Sequence, residues 1–140
     1  MADLARKLGI QSGHVVCLLN APHEAAALLR RACPEQVSFS DTLAHGPYNT
    51  ILFWPTQLAG LSDRFAQLQR HIVPDGAIWA VIPKKRFARA RGIDFSWSDV
   101  QGAALQTDLV DNKVASLSGE EYATRFVIRR DRRGKYLAGE

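Results

Sequence analysis

The chain has 140 residues, of which 46% are hydrophobic and 23% charged, with a formal net charge of +4 and a pI near 9.4. Such totals describe one ordinary globular domain, residues 1–140, with one main core. No apolar run approaches the roughly 20 residues of a membrane helix, and "MADLARKLGI" lacks the apolar core and cleavage site of a signal peptide, so the expected location is the cytoplasm.

"DLARKLG" predicts one or two helical turns, with Asp3 as cap, Leu4 and Leu8 on one face, and Gly9 as terminator. "HVVCLLN" has no polar alternation, as expected of a strand buried on both faces. Pro22 suits the first helical position, and "HEAAALLRRAC" follows as a short helix stopped by Pro34. "QVSFSD" alternates like a short strand, "AHGPYN" is a turn, and "TILFW" is a second buried strand closed by Pro55. From Gln57 to Ile72, Leu58, Leu61, Phe65, Leu68 and Ile72 recur at helical steps. "VPDG" breaks that helix, and "AIWAVI" is a third buried strand.

"PKKRFARARGID" then reads as a polar, basic connection. Ser96 or Ser98 can cap a helix through "SDVQGAALQTD". "LVDNKVASL" and "YATRFVIRR" are late strands joined by the short turn "SGEE", which makes them antiparallel. The tail "DRRGKYLAGE" is polar and is expected to fray. Strands alternating with helices imply an α/β fold of three layers, a mostly parallel sheet between helices, with an antiparallel C-terminal strand. There is no repeat, low-complexity tract or linker.

Cys17 and Cys33 form no CxxC pair and read as buried or incidental thiols. His14, His23, His45 and His71 lack metal-ligand spacing, so no metal is expected.

An open parallel sheet closed by an antiparallel hairpin resembles the methyltransferase variant of the Rossmann-like fold. "HVVCLLN" occupies the first strand of those enzymes, "YNTILFW" is similar to their fourth, and "HIVPDGAIWAVI" is similar to the turn and fifth strand. A closer resemblance is carried by "KLGI-x-x-G" at 7–13, "LLNAP" at 18–22, "PKK" at 83–85, "LVDNKVASL" at 109–117 and "RFVIRR" at 125–130. In this order they resemble a family of short bacterial proteins known as a domain of unknown function, which implies the fold and no activity. The chain departs from that family in the basic "RFARARG" after "PKK", and in "EEYAT", where the family often has a tryptophan.

In a nucleotide-binding α/β fold, glycines after the first strand allow a tight turn and close approach of backbone N–H groups to the ligand. Here the loop reads "NAPHEA", with no glycine from Asn20 to Ala32, and Pro22 removes one N–H. Asp41 follows the second strand about 20 residues after Asn20, the spacing of a ribose-binding acid, and reads more simply as a turn-forming residue ahead of "TLAHGP". Asn20 reads as a ligand contact or as a cap of the helix behind it. Trp54 reads as a pocket floor or as a core aromatic. Amino-directed methyltransferases carry Asn/Asp-Pro-Pro-aromatic after the fourth strand; "WPTQ" stands there instead, and no catalytic residue is expected.

Lys84, Lys85, Arg86, Arg89 and Arg91 form one basic cluster, with Phe87, Phe95 and Trp97 beside it, and no acid lies between Asp75 and Asp94. Cations among aromatics can hold phosphates and stack bases, or can serve as a solvated loop. A second cluster, Arg129, Arg130, Arg132, Arg133 and Lys135, reads as the charged end of an edge strand. The expected role is non-catalytic binding of an anionic partner, a phosphorylated metabolite, nucleic acid or acidic protein surface, with no cofactor. The alternatives are a divergent S-adenosylmethionine-dependent methyltransferase, and a scaffold forming a homodimer through exposed apolar residues on the helix from Gln57.

Overall fold

The computed structural model describes residues 2–139. Five helices, α1 (Ala2–Leu8), α2 (His23–Ala32), α3 (Leu61–Leu68), α4 (Lys85–Ala88) and α5 (Trp97–Leu105), accompany six strands. The strands are β1 (Val15–Leu19), β2 (Ser38–Ser40), β3 (Tyr48–Phe53), β4 (Ile72–Pro83), β5 (Leu109–Ser116) and β6 (Glu121–Ile128). They form one sheet in the order β2-β1-β3-β4-β6-β5. β1 pairs in parallel with β2 and β3, and β3 with β4, whereas β6 is antiparallel to both β4 and β5. The mostly parallel sheet with an antiparallel C-terminal strand is thus as the sequence predicts.

Side chains alternate across this sheet with period two. Cys17, Leu19, Ile51, Phe53, Ile78, Ala80 and Ile82 pack on one face with α3 and α5. Val16, Leu18, Leu52, Trp54, Trp79 and Val81 pack on the other with α1 and α2. That explains why β1, β3 and β4 read as unbroken apolar runs: both of their faces are covered. On the first face the buried Phe65 of α3 meets Phe53 and Phe126 edge-on, at centroid distances of 5.2 and 5.1 Å. On the second, Trp79 Nε1 donates to the Leu8 carbonyl at 3.2 Å and holds the end of α1 against the sheet. Gly9, at φ 76, ends α1 as expected, while Asp3 lies inside the helix.

Several boundaries differ from the periodicity. The helix predicted from Gln57 starts only at Leu61, after Gly60 at φ 75, and a 3₁₀ turn, Gln69–His71, ends it. Ile72 already belongs to β4, and "VPDG" is an irregular part of that strand, with the register against β3 slipping between Tyr48 and Thr50. A side chain at Gly76 would meet the Asn49 carbonyl oxygen at 2.9 Å, so the irregularity requires glycine there. Of the large apolar residues in that stretch, Leu61, Phe65, Leu68 and Ile72 are buried and Leu58 is exposed. Pro22 precedes α2 as its N-cap, with extended ψ, instead of opening it. Ser96 caps α5 in a reciprocal pair with Asp99.

The tail also differs from the expectation of fraying: Arg130–Gly139 is a 3₁₀ stretch docked on one buried carboxylate. Asp108 accepts from Arg132 Nη1 at 3.1 Å and Tyr136 Oη at 2.5 Å, and pairs with Lys135 Nζ at 2.7 Å. Burial alone would raise the pKa of Asp108, but the hydrogen bonds from Lys135, Tyr136 and Arg132 outweigh it and hold the carboxyl at about 2. The folded value lies below the usual carboxylate value of about 3.9. The clasp therefore stabilises above about pH 4 and weakens as pH falls toward 2. Urea unfolding should show the wild type losing more stability than Asp108→Asn between about pH 4 and pH 2.5. A parallel loss in both proteins would mean that the tail does not depend on Asp108.

Candidate functional site at the carboxyl edge

The chain leaves β1 at Asn20, which adopts φ 59, the left-handed conformation that asparagine tolerates best after glycine. The tight turn that a glycine would allow is made by this residue. Its Nδ2 donates to the Trp54 carbonyl at 2.8 Å, and Trp54 N donates to the Leu19 carbonyl at 3.2 Å. Asn20 thus ties the ends of β1 and β3 together and makes no cap to α2, which has no side-chain cap.

β1 is flanked by β2 on one side and β3 on the other, so chain connections diverge between β1 and β3. Open α/β sheets bind ligands at such a point. A crevice of about 400 Å³ lies there, with Leu19, Phe53 and Leu61 as apolar walls and Thr56, Gln57 and Arg64 as polar ones. A smaller hollow of about 120 Å³ shares Asn20, Trp54, Pro55 and Thr56 with it. That hollow shares Pro22 and Arg91 with a third cavity of about 300 Å³, which is bordered by Glu24, Glu120 and Glu121. The three adjoin through these shared lining residues as a discontinuous groove along the carboxyl edge, with Arg64 lining the cavity at one end and carboxylates bordering the cavity at the other.

Trp54 is 5% exposed: it belongs to the core and also lines the groove. Its Nε1 donates to Glu121 Oε2 at 3.1 Å, and Arg91 Nη2 donates to the same oxygen at 2.8 Å. Asp41 is exposed just after β2 and stands outside the lining of the 400 Å³ crevice. It lies close enough to act on Cys17, whose thiol is pushed up to about 11, first by burial and in smaller part by the Asp41 charge. Arg64 acts on the same thiol in the opposite sense.

The basic connection is helical: α4 is followed by a 3₁₀ turn, Arg89–Arg91, and by Gly92 at φ 71. Lys84 N donates to the Glu120 carbonyl at 2.7 Å, and Lys84 Nζ to Ser116 Oγ at 3.2 Å. Arg86 lies over the Phe87 ring at 4.8 Å. The charge of Arg91 is met by Glu121, whereas Lys85, Arg86 and Arg89 are exposed with no ion pair among the described residues. The neighbouring aromatics are spoken for. Phe95 is buried in the core and offers no face for base stacking, while Trp97 is half-buried against the core with its Nε1 donating to Thr124 Oγ1 at 2.8 Å. Glu121 and Arg64 are the groove residues that local sequence did not single out. One stands in what reads as a turn, and the other is a charged position on an amphipathic helix.

The fold has close structural likenesses. A SAM-dependent methyltransferase from Aquifex aeolicus superposes with a TM-score of 0.65 at 11% identity, covering 91% of this chain and 88% of that one. A TehB-like SAM-dependent methyltransferase from Corynebacterium glutamicum gives 0.63 at 11%, covering 91% and 86%. The N-methyltransferase NodS from Bradyrhizobium japonicum, in complex with S-adenosyl-L-homocysteine, gives 0.62 at 11%, covering 91% and 85%. At such identities the likeness establishes a methyltransferase-like Rossmann fold. No family model matches the sequence, and no curated protein matches it. The resemblance to the short bacterial family therefore rests on its segments alone.

The shared Glu121 oxygen sets an order of sensitivities. Glu121→Ala strands both the buried Trp54 N–H and Arg91, and should cost about 1–3 kcal/mol. Glu121→Gln keeps an acceptor for Trp54 and should cost less. Arg91→Ala, at a site 34% exposed, should cost least of the three. Chemical denaturation followed by tryptophan emission checks this order, and equal losses would disprove it.

Proposed function

We propose that the chain is a single-domain, divergent methyltransferase that binds S-adenosylmethionine, or its demethylated product, in the crevice between the ends of β1 and β3. The observation that carries this reading is the position of the crevice, at the divergence point of a sheet whose structural neighbours are S-adenosylmethionine-dependent enzymes. Its volume of about 400 Å³ lies within the range of small-ligand sites.

The residues fit the adenosyl ligand in three respects. Asn20, at φ 59, makes the turn that the absent glycine would otherwise make. Leu19, Phe53 and Leu61 offer apolar surface to an adenosine. Arg64 offers a guanidinium to a carboxylate, a pairing that can be bidentate. The fit is weakest at Pro22, which cannot donate an N–H at the entry to α2. The ligand would supply a methyl group activated by a sulfonium. The chain's part is to hold the site rigid and partly dry. Trp54 is fixed at both ends for this, its carbonyl by Asn20 and its indole N–H by Glu121.

Isothermal titration with S-adenosylmethionine and with S-adenosylhomocysteine tests the reading. The expected dissociation constant is micromolar, about −8 kcal/mol at 1 μM. Arg64→Ala should weaken it about tenfold, equivalent to about 1.4 kcal/mol. Absence of heat with either ligand at millimolar concentration would overturn it.

A second reading, non-catalytic binding of an anionic partner, is favoured by one observation: Lys85, Arg86 and Arg89 stand exposed and without ion pairs among the described residues. Changing Lys84, Lys85 and Arg86 together to Ala should then weaken binding of RNA, DNA or polyphosphate in fluorescence anisotropy. The salt slope on a duplex should fall by about one unit for each phosphate that the variant no longer neutralises. Thermal stability should hardly change. Identical isotherms for wild type and variant would reduce the cluster to a solvated surface.

A further inference from the structure

The second basic cluster has a feature that edge protection does not explain. Of its cations, Arg132 and Lys135 are paired with Asp108. Arg129 and Arg133 have no carboxylate within ion-pairing distance among the described residues, and neither has Arg125 on the strand before them. Arg129 Nε is buried with no hydrogen-bond partner, alone in this respect among the described side chains. Native proteins rarely leave a buried polar atom unpaired, because its desolvation cost is then uncompensated.

The neighbouring charges make the arrangement more costly. Arg125 sits opposite Lys113 in the β5–β6 ladder, and like charges directly across a ladder repel. Lys113 Nζ turns to the Lys7 carbonyl at 2.9 Å, at the end of α1, which is a backbone acceptor and carries no formal charge. Arg133 Nε donates to the Ile128 carbonyl at 2.8 Å, which holds its guanidinium at the end of β6. Arg125 is half-buried, and its pKa is lowered by that burial and by the proximity of Arg133. Arg125, within β6, and Arg129 and Arg133, just beyond its end, thus follow one another toward the amino edge of the parallel strands, with no ion-paired acid among the described residues.

We infer that Arg125, Arg129 and Arg133, with Lys113 beside them, form a binding site for a phosphoryl oxyanion, separate from the carboxyl-edge groove. A phosphoryl group suits the chemistry. Planar guanidinium forks match its oxygens, and its charge offsets the cross-strand repulsion that the free protein bears. The group can belong to a free phosphorylated small molecule or to a nucleic-acid backbone, and both present the same oxygens.

The test uses the full chain, with inorganic pyrophosphate and a short single-stranded RNA as probes. At ionic strength matched with chloride, saturating pyrophosphate should raise Tm by at least about 3 °C. Arg125→Gln and Arg133→Gln should each weaken the response about tenfold or more, while Arg30→Gln, over Phe39 of β2 at the opposite edge of the sheet, leaves it unchanged. Without added anion, Arg125→Gln should melt no lower than wild type, because it relieves the opposition to Lys113. An arginine serving only to cover apolar surface would lower Tm when replaced. Arg133→Gln, on the tail, serves if the strand variant folds poorly. Binding of RNA that pyrophosphate competes away identifies a nucleic-acid backbone as the source, and response to pyrophosphate alone identifies a free phosphorylated molecule. Equal shifts in wild type and both variants, or no shift with either probe, would overturn the site. Titration with S-adenosylmethionine is independent of these residues, so failure here leaves the crevice reading standing, and the reverse.

Discussion

The carboxyl edge depends on how the seam between β1 and β3 is closed. An asparagine side chain closes it at each end. At the start, Asn49 Oδ1, on β3, accepts from Val15 N at 2.8 Å. At the finish, Asn20 Nδ2 donates to the Trp54 carbonyl at 2.8 Å. Each such bond contributes about 0.5–1.5 kcal/mol net, and leaving either backbone group unmet would cost more. The finishing contact also sets geometry, because it needs Asn20 in the left-handed region. That one conformation turns the chain sharply out of β1, aims α2 away, and leaves the crevice open between the two strand ends. Trp54 is then held where it both belongs to the core and lines the groove.

The second constraint comes from far along the chain. The β5–β6 hairpin carries Glu121 to the carboxyl edge, where it pairs in register with Pro83 at the end of β4. Its carboxylate meets Trp54, 67 positions away, and Arg91, 30 positions away. The α4 segment is thereby strapped across the edge at two points, the Lys84 N–H on the Glu120 carbonyl and the Arg91 guanidinium on Glu121. A run of basic residues that looks unopposed in sequence is thus divided. Its last member is neutralised by tertiary structure, and Lys85, Arg86 and Arg89 remain outward.

The strands were legible because their signal is strong and local. Val16, Leu18, Ile51, Leu52, Ile78 and Trp79 are apolar on both faces, and only a doubly covered sheet accounts for that. The short "SGEE" turn likewise determined that β5 and β6 are antiparallel. What escaped were features decided by a distant partner. Apolar spacing carried the predicted helix from Gln57 to Ile72, but Gly60 begins it late, and pairing with Tyr48 draws Ile72 into β4. Nothing local marks Asn20 as left-handed, because the Trp54 carbonyl that holds it lies 34 residues on. The docked tail is hidden for the same reason: its polarity suggests fraying, and the buried carboxylate of Asp108 is what holds it.

The strands that resemble the fourth and fifth of the methyltransferase pattern are third and fourth here. Between β2 and β3 the chain has only residues 41–47, with a single 3₁₀ turn, Leu43–His45. One strand-helix unit of that pattern is therefore absent between them. The short connection is pinned instead by polar contacts: Tyr48 Oη and Cys17 Sγ both donate to the Thr42 carbonyl, at 2.6 and 3.2 Å. It covers the α3 side of β1 well enough to bury Cys17 completely. It builds no wall beyond that, and Asp41 is left in solvent. A ligand in the 400 Å³ crevice would consequently be gripped from the β1–β3 side, by Asn20's turn, the residues after Trp54 and Arg64, more than from the β2 side. The crevice that the sheet topology creates is therefore bounded by the residues that follow β1 and β3 and by α3, and no residue of the 41–47 connection lines it.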